Sequence, residues 1–590
     1  MSMSKNIARL AVTAGLTATL SFGGVMAPVT MAFAEGATGS TVTFVDTDYA
    51  TSSTYKGIQI FKATVTKTGE NTTVSGIEWA GADAAEQQAI QKAVVNAIHT
   101  IKNDYNSTNA QDAAEWLNAN AGVNGTDSRV KNDNVLNTIA KNLSADSFTW
   151  KSTTKGDSTL TGLDAGYWLF LTAGVNKPAE GLAASQSTDV FTSPIFKLVD
   201  GTNPVTIVPK KNIPTVEKKI VSDADDKEHD AADSQIGQDV TYNLYGTIAD
   251  NYDSYDTYYY QFSDQISKGL TLQNGAQVYL YASKDAAQKD LKHEKPALNI
   301  TDSFKPSSSD ADANGNKTMK WTCNNLKDIS GATITKDSCI VVSYTAQINE
   351  SAVVGLDNNK EGNPNTATLY YSNNPMTTDH GQTVPDTVRD YTYGLKINKV
   401  DLGTERPLNG AKFTIKVKNA DDKDSTGKYV QSDGKLGNDP YQFETAGDGT
   451  FTVKGLDTGT YTVEEVEAPQ GGYTTVNSFD FTIAPDFGTD LDVKLKDVDY
   501  VLQANGQQDQ IIIGTPNDVK DDNKLQAADS TEINADGTFN ITVGDTKQVG
   551  LPLTGLNGVT FTWIAGGAVL CIGVAHLIRS RKQAEESEQE

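Results

Sequence analysis

From residue 213 to residue 547 the chain never sustains a helical period: Thr, Val and Tyr come in short runs, with Gly, Asn and Asp punctuating them. Such runs alternate inward and outward with a period of two, and the turn formers between them close hairpins. This restricts residues 213–385 and 390–547 to antiparallel β-sandwiches. Residues 36–205 differ. Alternation at Thr41–Val45 and through Ile58, Ile60, Ala63 and Val65 passes into Ala/Gln-rich helical segments, Ala82–Ile101 and Ala110–Asn118, then returns to strands at Thr159–Leu171 and Val190–Leu198. The expected fold class is mainly β: tandem immunoglobulin-like sandwiches, the first with a helical insertion. A weak repeat, Gly162-Leu163-Asp164-Ala165-Gly166-Tyr167 against Gly455-Leu456-Asp457-Thr458-Gly459-Thr460-Tyr461, supports the division.

Composition removes several functions. The 590 residues carry 49 Lys+Arg against 75 Asp+Glu, a net charge of −26, which opposes any long contact with nucleic-acid phosphates. The five His are scattered, and Cys323, Cys339 and Cys571 form no CxxC pair, so neither a metal site nor a cofactor is expected. Asp310-Ala311-Asp312-Ala313-Asn314-Gly315 opens like a calcium loop, but its twelfth position is Trp321 instead of a bidentate Glu. With no nucleophile motif and no phosphate loop, the chain does not read as a turnover enzyme.

The two ends place the chain. Lys5 and Arg9, an apolar run from Leu10 through Met26 and the small-x-small Ala32-Phe33-Ala34 read as a signal peptide over residues 1–34. Val559 to Ile578 is an uncharged apolar stretch long enough to cross a bilayer, and Arg579, Arg581 and Lys582 would hold the tail in the cytoplasm. Cys323 and Cys339 then remain as an even pair in an oxidising compartment, a candidate disulfide. Just before the span, Leu551-Pro552-Leu553-Thr554-Gly555 resembles the cell-wall sorting signal of Gram-positive surface proteins. The resemblance implies that a sortase cleaves between Thr554 and Gly555 and joins Thr554 to an amine. The product would be secreted and wall-anchored after transient membrane insertion of the 559–578 span within the sorting segment 551–590.

YTVEEVEAPQGGY (461–473) is similar to the E-box YxLxETxAPxGY of Gram-positive pilins and collagen-adhesin B-type domains, with Val466 for Thr and one extra Gly. LKINKVD (395–401) resembles the first strand of the same domain. Leu395, Ile397 and Lys399 alternate to one face, which makes Lys399 a buried amine; burial favours its neutral, nucleophilic form. Ile541, Val543 and Asp545 share a face on the last strand, with Asp545 where the family usually has Asn. The resemblance implies that Glu465 catalyses an intramolecular isopeptide bond between Lys399 and Asp545, with loss of water; a buried ion pair is the competing reading. The middle unit resembles the other isopeptide-forming pilin domain. There Lys218 (alternatively Lys219) is the expected amine and Asp264 the catalytic acid. Asn373 is the expected acceptor, sharing a face with Ala367, Leu369 and Tyr371. VTIVPKKN (205–212) resembles the pilin motif VxVYPKN, whose lysine links subunits: Lys210 by its place after Pro209, with Lys211, before Asn212, as the competitor.

Taken together, the chain resembles a sortase-assembled backbone, or major, pilin with collagen-adhesin A/B-type sandwiches. The expected domains are 35–209, 210–388 and 389–550. The implied function is a covalently polymerised fimbria supporting adhesion. The implied partners are a class C pilin sortase, a housekeeping sortase, other copies of the chain, ancillary pilins, peptidoglycan and a host glycan or matrix protein. An ancillary pilin or monomeric wall-anchored adhesin is the alternative; a wall-anchored hydrolase ranks last.

Overall fold

A computed structural model describes residues 39–45, 53–68, 71–122, 129–144, 147–175, 187–209, 211–273, 275–355, 361–488, 495–507, 509–514, 534 and 537–547. The signal segment, Lys210, the Leu551–Gly555 motif with Thr554, and the 559–578 stretch lie outside the described residues. Among those described, no helix is long and apolar enough to cross a membrane.

The first unit joins two small sheets and a helical layer. Ser40–Phe44 lies between Thr159–Leu163, antiparallel, and Val205–Ile207, parallel. Thr54–Thr68 forms the centre of the other sheet, between Asn71–Trp79 and Gly166–Gly174, with Ile195–Val199 beyond. Helix Ala84–Ile101 starts where the Asp83 carboxylate accepts the amides of Ala85 and Glu86, and Ala110–Asn120 starts at Asn109 in the same way. The stripe Ile90, Ala93, Val94, Ala97 and Ile98 packs on the sheet through Phe61, Trp79 and Leu169. A third helix, Val135–Leu143, capped by Asn134, was not expected. It spans barely two and a half turns, too short for its Val135, Ile139 and Leu143 spacing to stand out from a strand.

The single strand expected over Thr159–Leu171 is two strands in different sheets, parted by a turn at 164–165. The repeat marks equivalent corners: Trp168 Nε1 donates to the Asp164 carbonyl at 3.0 Å, and Tyr461 OH donates to the Asp457 carbonyl at 2.9 Å. The strand expected from Val190 begins only at Ile195, because the preceding residues serve the middle unit. Thr188 N donates to Gln382 O at 2.8 Å, Phe191 N to Asn373 O at 2.7 Å, and Val190 is fully buried in the middle core.

The middle unit (Val216 to Tyr391) is two seven-stranded sheets face to face. One centres on Val216–Ser222, Asp239–Thr247 and Cys339–Ile348, the other on Asn363–Ser372 and Tyr260–Ile266. Fully buried Tyr242, Tyr258, Tyr260 and Tyr371 fill much of the space between them. In the last unit a four-stranded sheet, Thr450–Leu456, Tyr393–Asp401, Thr538–Asp545 and Ile511–Ile513, packs on a seven-stranded sheet containing Lys412–Ala420 and Gly459–Glu467. Its first and last strands, Tyr393–Asp401 and Thr538–Asp545, lie side by side and parallel, a departure from the wholly antiparallel expectation.

The middle and last units meet closely. Ile236 N donates to Gly455 O at 3.1 Å, and a Cβ on Gly455, whose φ is +86°, would lie 2.3 Å from Ile236 Cδ1, so only glycine fits. Carboxyls from both units, Asp233, Asp390 and Asp457, are buried here with no cation among the causes acting on them. Burial, then repulsion by neighbouring carboxylates, Asp223 in each case, raises all three, Asp233 to about 7. The native state therefore binds more protons than the unfolded chain between the ordinary carboxylate range and about pH 7, so these groups cost stability as pH rises through that window. Thermal melts of Asp233→Asn at pH 8 should show a gain of about 1 kcal/mol or more, roughly 2–4 °C, that shrinks on acidification to pH 4. A gain independent of pH would contradict this.

Candidate functional site

In the last unit, strand alternation sends Leu395, Ile397 and Lys399 inward, and all three are fully buried; so are Ile541, Val543 and Asp545 on the parallel neighbour. Lys399 pairs in register with Val543, which puts its ammonium diagonally against Asp545. Its Nζ contacts Asp545 Oδ1 and donates to Glu465 Oε2 at 2.8 Å. Glu465 enters from the facing sheet on Gly459–Glu467 and is fixed by Val476 N at 3.0 Å. The three side chains are fully shielded from water, and Phe413 faces the amine, its centroid 5.6 Å away. Burial lifts Asp545 to about 6, against the pull of Lys399. Glu465 Oε1 and Asp545 Oδ2 have no hydrogen-bond partner. The set is thus one amine against two carboxyls in a dry core.

The middle unit builds its cluster across the two sheets. Val216–Ser222 turns Lys218 inward and Ile220 with it, while Lys219 faces outward to Glu217 and Asp230. Lys219 therefore does not share the site. Lys218 Nζ donates to both Asp264 oxygens at 2.7 Å and to Tyr344 OH at 3.0 Å. Burial pushes its pKa down, with Asp264 opposing. The side-chain amide in this cluster belongs to Asn365, whose Nδ2 donates to Tyr344 OH at 2.6 Å and whose Oδ1 is buried without a partner.

Asn373 does not join the cluster. It lies eight positions further along, roughly 26 Å of strand, beyond the end of Asn363–Ser372, and donates to Asp189 O at 3.1 Å. The alternation through Ala367, Leu369 and Tyr371 runs both ways along the strand, and Asn365, at its other end, sits opposite Ile266, next to Asp264.

Lys211 is also enclosed. Its Nζ lies 2.5 Å from Asp189 Oδ2 and 3.3 Å from Ser53 Oγ, and both charged side chains are at most 1% exposed. An amine held this way is not presented to an external acyl group, which argues against the competing linking lysine. The disulfide is not formed: Cys323 and Cys339 are both free and buried. Cys323 faces the middle core, whereas Cys339 packs on the outer side of the other sheet with Tyr245, Tyr281 and Ala287. Burial pushes the Cys339 thiol up to about 12. In the calcium-like loop, Asp312 Oδ1 accepts the amides of Asn314 and Asn316, closing a turn.

Residues 394–499 match the family model described as SpaA, prealbumin-like fold domain. The match takes in Lys399 and Glu465. A curated relative, the trypsin-resistant surface T6 protein of Streptococcus pyogenes serotype M6, is 25% identical over 297 residues, 47% of each chain. The chain thus spans about half the length of that relative. Among solved structures, the T6 backbone pilin of serotype M6 S. pyogenes is 15% identical, covering 86% of this chain and 99% of its own, with a TM-score of 0.44. The full-length major pilin SpaD of Corynebacterium diphtheriae is 14% identical, covering 86% and 98%, with a TM-score of 0.40.

In the last unit the ammonium is what makes two buried carboxyls tolerable. Lys399→Met should cost roughly 3–5 kcal/mol. With the cation gone, Asp545, already raised by burial, loses the charge that opposes that rise, so the defect should be largest at pH 8 and ease toward pH 5 as this carboxyl takes up its proton. Chemical denaturation at the two pH values measures this; an equal loss at both would refute the assignment of charge.

Proposed function

We propose that the chain is the backbone subunit of a covalent, sortase-assembled surface pilus whose middle and SpaA-type units are each closed by an intramolecular isopeptide bond. The observation that carries this reading is the pair of dry amine–acid–acceptor clusters, Lys399–Glu465–Asp545 and Lys218–Asp264–Asn365, in consecutive sandwiches. Neither cluster is needed to make a β-sandwich core, and buried ion pairs are a weak source of stability. Each instead holds an amine against an acid beside a condensable carbonyl.

In the SpaA-type unit a carboxylate resists attack, but Asp545, raised by burial, is available as the neutral acid. The amine attacks its carbonyl carbon, Glu465 exchanges protons with the amine and the departing oxygen, and water leaves. The amide would close a loop across a sequence separation of 146, which by analogy with a disulfide stabilises by about 5 kcal/mol. In the middle unit the acceptor is the Asn365 carboxamide, and ammonia leaves instead.

Polymerisation would use the exported end: a sortase acyl-enzyme at Thr554, released from Gly555, is attacked by Lys210 of the next subunit, with Lys211 kept to its own domain by Asp189. Membrane insertion through 559–578 precedes cleavage, and peptidoglycan receives the last subunit. A pilin-class and a housekeeping sortase, ancillary pilins and a host glycan or matrix ligand complete the set of partners.

Two measurements test the reading. Intact mass of the exported chain should fall short by one water and one ammonia, the water deficit disappearing in Glu465→Ala. Immunoblots of boiled, detergent-treated wall extracts should show a ladder of heavy species that survives Lys211→Ala and vanishes in Lys210→Ala. A single anchored band in wild type would leave a monomeric adhesin.

A further inference from the structure

The two clusters differ in one respect that the chemistry of their leaving groups makes meaningful. In the SpaA-type unit the amine touches both carboxyls directly. In the middle unit a phenol stands between the acid and the acceptor: Tyr344 OH donates to Asp264 Oδ2 at 2.5 Å, accepts from Asn365 Nδ2 at 2.6 Å and accepts from Lys218 Nζ at 3.0 Å. Lys218, Asp264 and Asn365 are fully buried and Tyr344 is 3% exposed, so no bulk water reaches them. The ring is clamped between Tyr242 and Trp321, each with its centroid at 5.5 Å. The hydroxyl therefore cannot swing away.

Either leaving group must gain one proton, the hydroxyl to depart as water and the carboxamide nitrogen to depart as ammonia, but the nitrogen is much the poorer leaving group and depends more on a donor placed beside it. No hydrogen bond joins Asp264 to Asn365 in the structure; the phenol oxygen bonds to both. Asn365 Oδ1 meets no donor, so the help available to this acceptor comes from the nitrogen side.

We propose that Tyr344 is a catalytic residue of the middle unit, relaying a proton from Asp264 to the departing Nδ2 of Asn365. The proposal rests on the reading of Lys218 and Asn365 as a bond-forming pair. The Lys218 ammonium first gives a proton to Asp264, leaving a neutral amine and a neutral acid. The amine nitrogen then bonds to Asn365 Cγ. As the Cγ–Nδ2 bond breaks, Asp264 passes its proton to the Tyr344 oxygen and the Tyr344 hydroxyl proton passes to Nδ2. The surplus proton on Lys218 Nζ returns to Asp264. Ammonia departs, one amide replaces another, and Asp264 and Tyr344 end protonated as they began the attack.

The experiment follows the full-length chain during cell-free synthesis and measures, by peptide mass, the species joining the Lys218 and Asn365 segments, lighter than its parts by one ammonia. Tyr344→Phe removes one oxygen and keeps the clamped ring, and should slow the appearance of this species roughly 100-fold, while the water loss at Lys399 and Asp545 proceeds as in wild type. Asn365→Ala should abolish the species and Asn373→Ala should not. Formation at the wild-type rate in Tyr344→Phe overturns the relay and leaves the bond standing; absence of the species in wild type overturns the bond and the relay with it. Should Tyr344→Phe fail to fold, a fluorotyrosine placed at position 344 alone keeps the hydroxyl and strengthens its acidity. A changed rate then supports the relay and an unchanged rate overturns it.

Discussion

A lysine ammonium in the dry core of a β-sandwich is the constraint on which the middle and last units depend. Taking such a charge out of water is costly, and the cost falls only if acids converge on it from other strands. In the last unit this demand dictates three placements at once: Lys399 on the first strand, Asp545 on its parallel neighbour and Glu465 on the facing sheet. In the middle unit it likewise binds the sheets together, with Lys218 and Tyr344 on one and Asp264 and Asn365 on the other. Two arrangements of strands thus serve one electrostatic requirement, and each fixes the register of the strands that meet it.

Alternation made much of this legible. A period of two is robust wherever a strand is flanked by apolar neighbours, so Lys399, Lys218 and Asp545 could be assigned to the interior from sequence. Glu465 came from the E-box resemblance. What alternation does not provide is distance along the strand: it ranks Asn365 and Asn373 equally, and only the pairing of Asn363–Ser372 with Tyr260–Ile266 separates them. Tyr344 was invisible for another reason. Its chain of contacts runs through strands far apart in sequence, and one Tyr among many in short Thr/Val/Tyr runs carries no local mark. The enclosed Lys211–Asp189 pair carries no local mark, because Asp189 lies just before the strand expected from Val190, in residues 187–193, which lie against the middle unit.

That segment and the carboxyl cluster at the far end of the middle unit give the two junctions different characters. At the first, backbone and side-chain bonds such as Asn251 Nδ2 to Phe191 O at 2.8 Å and the Arg129–Asp250 pair at 3.0 Å couple the units through paired polar groups. At the second, Ile236 wedges against Gly455 beside acids that repel one another. Apolar contact and the bonds of Ile236 N and Gln235 Nε2 to the Gly455 carbonyl hold that junction while its charges oppose it, so the balance there shifts with proton activity.

The parallel pairing of Tyr393–Asp401 with Thr538–Asp545 has a mechanical consequence. Tension entering at the start of the first strand and leaving at the end of the last acts along both strands in opposite senses. Eight register pairs, from Gly394 with Thr538 to Asp401 with Asp545, then share the load in shear. Hairpin strands pulled from adjacent ends yield one rung at a time, whereas a ladder loaded in shear must lose its rungs together. The order of the strands thus makes the domain stiff along its own axis through backbone hydrogen bonds alone, before any covalent bond is formed.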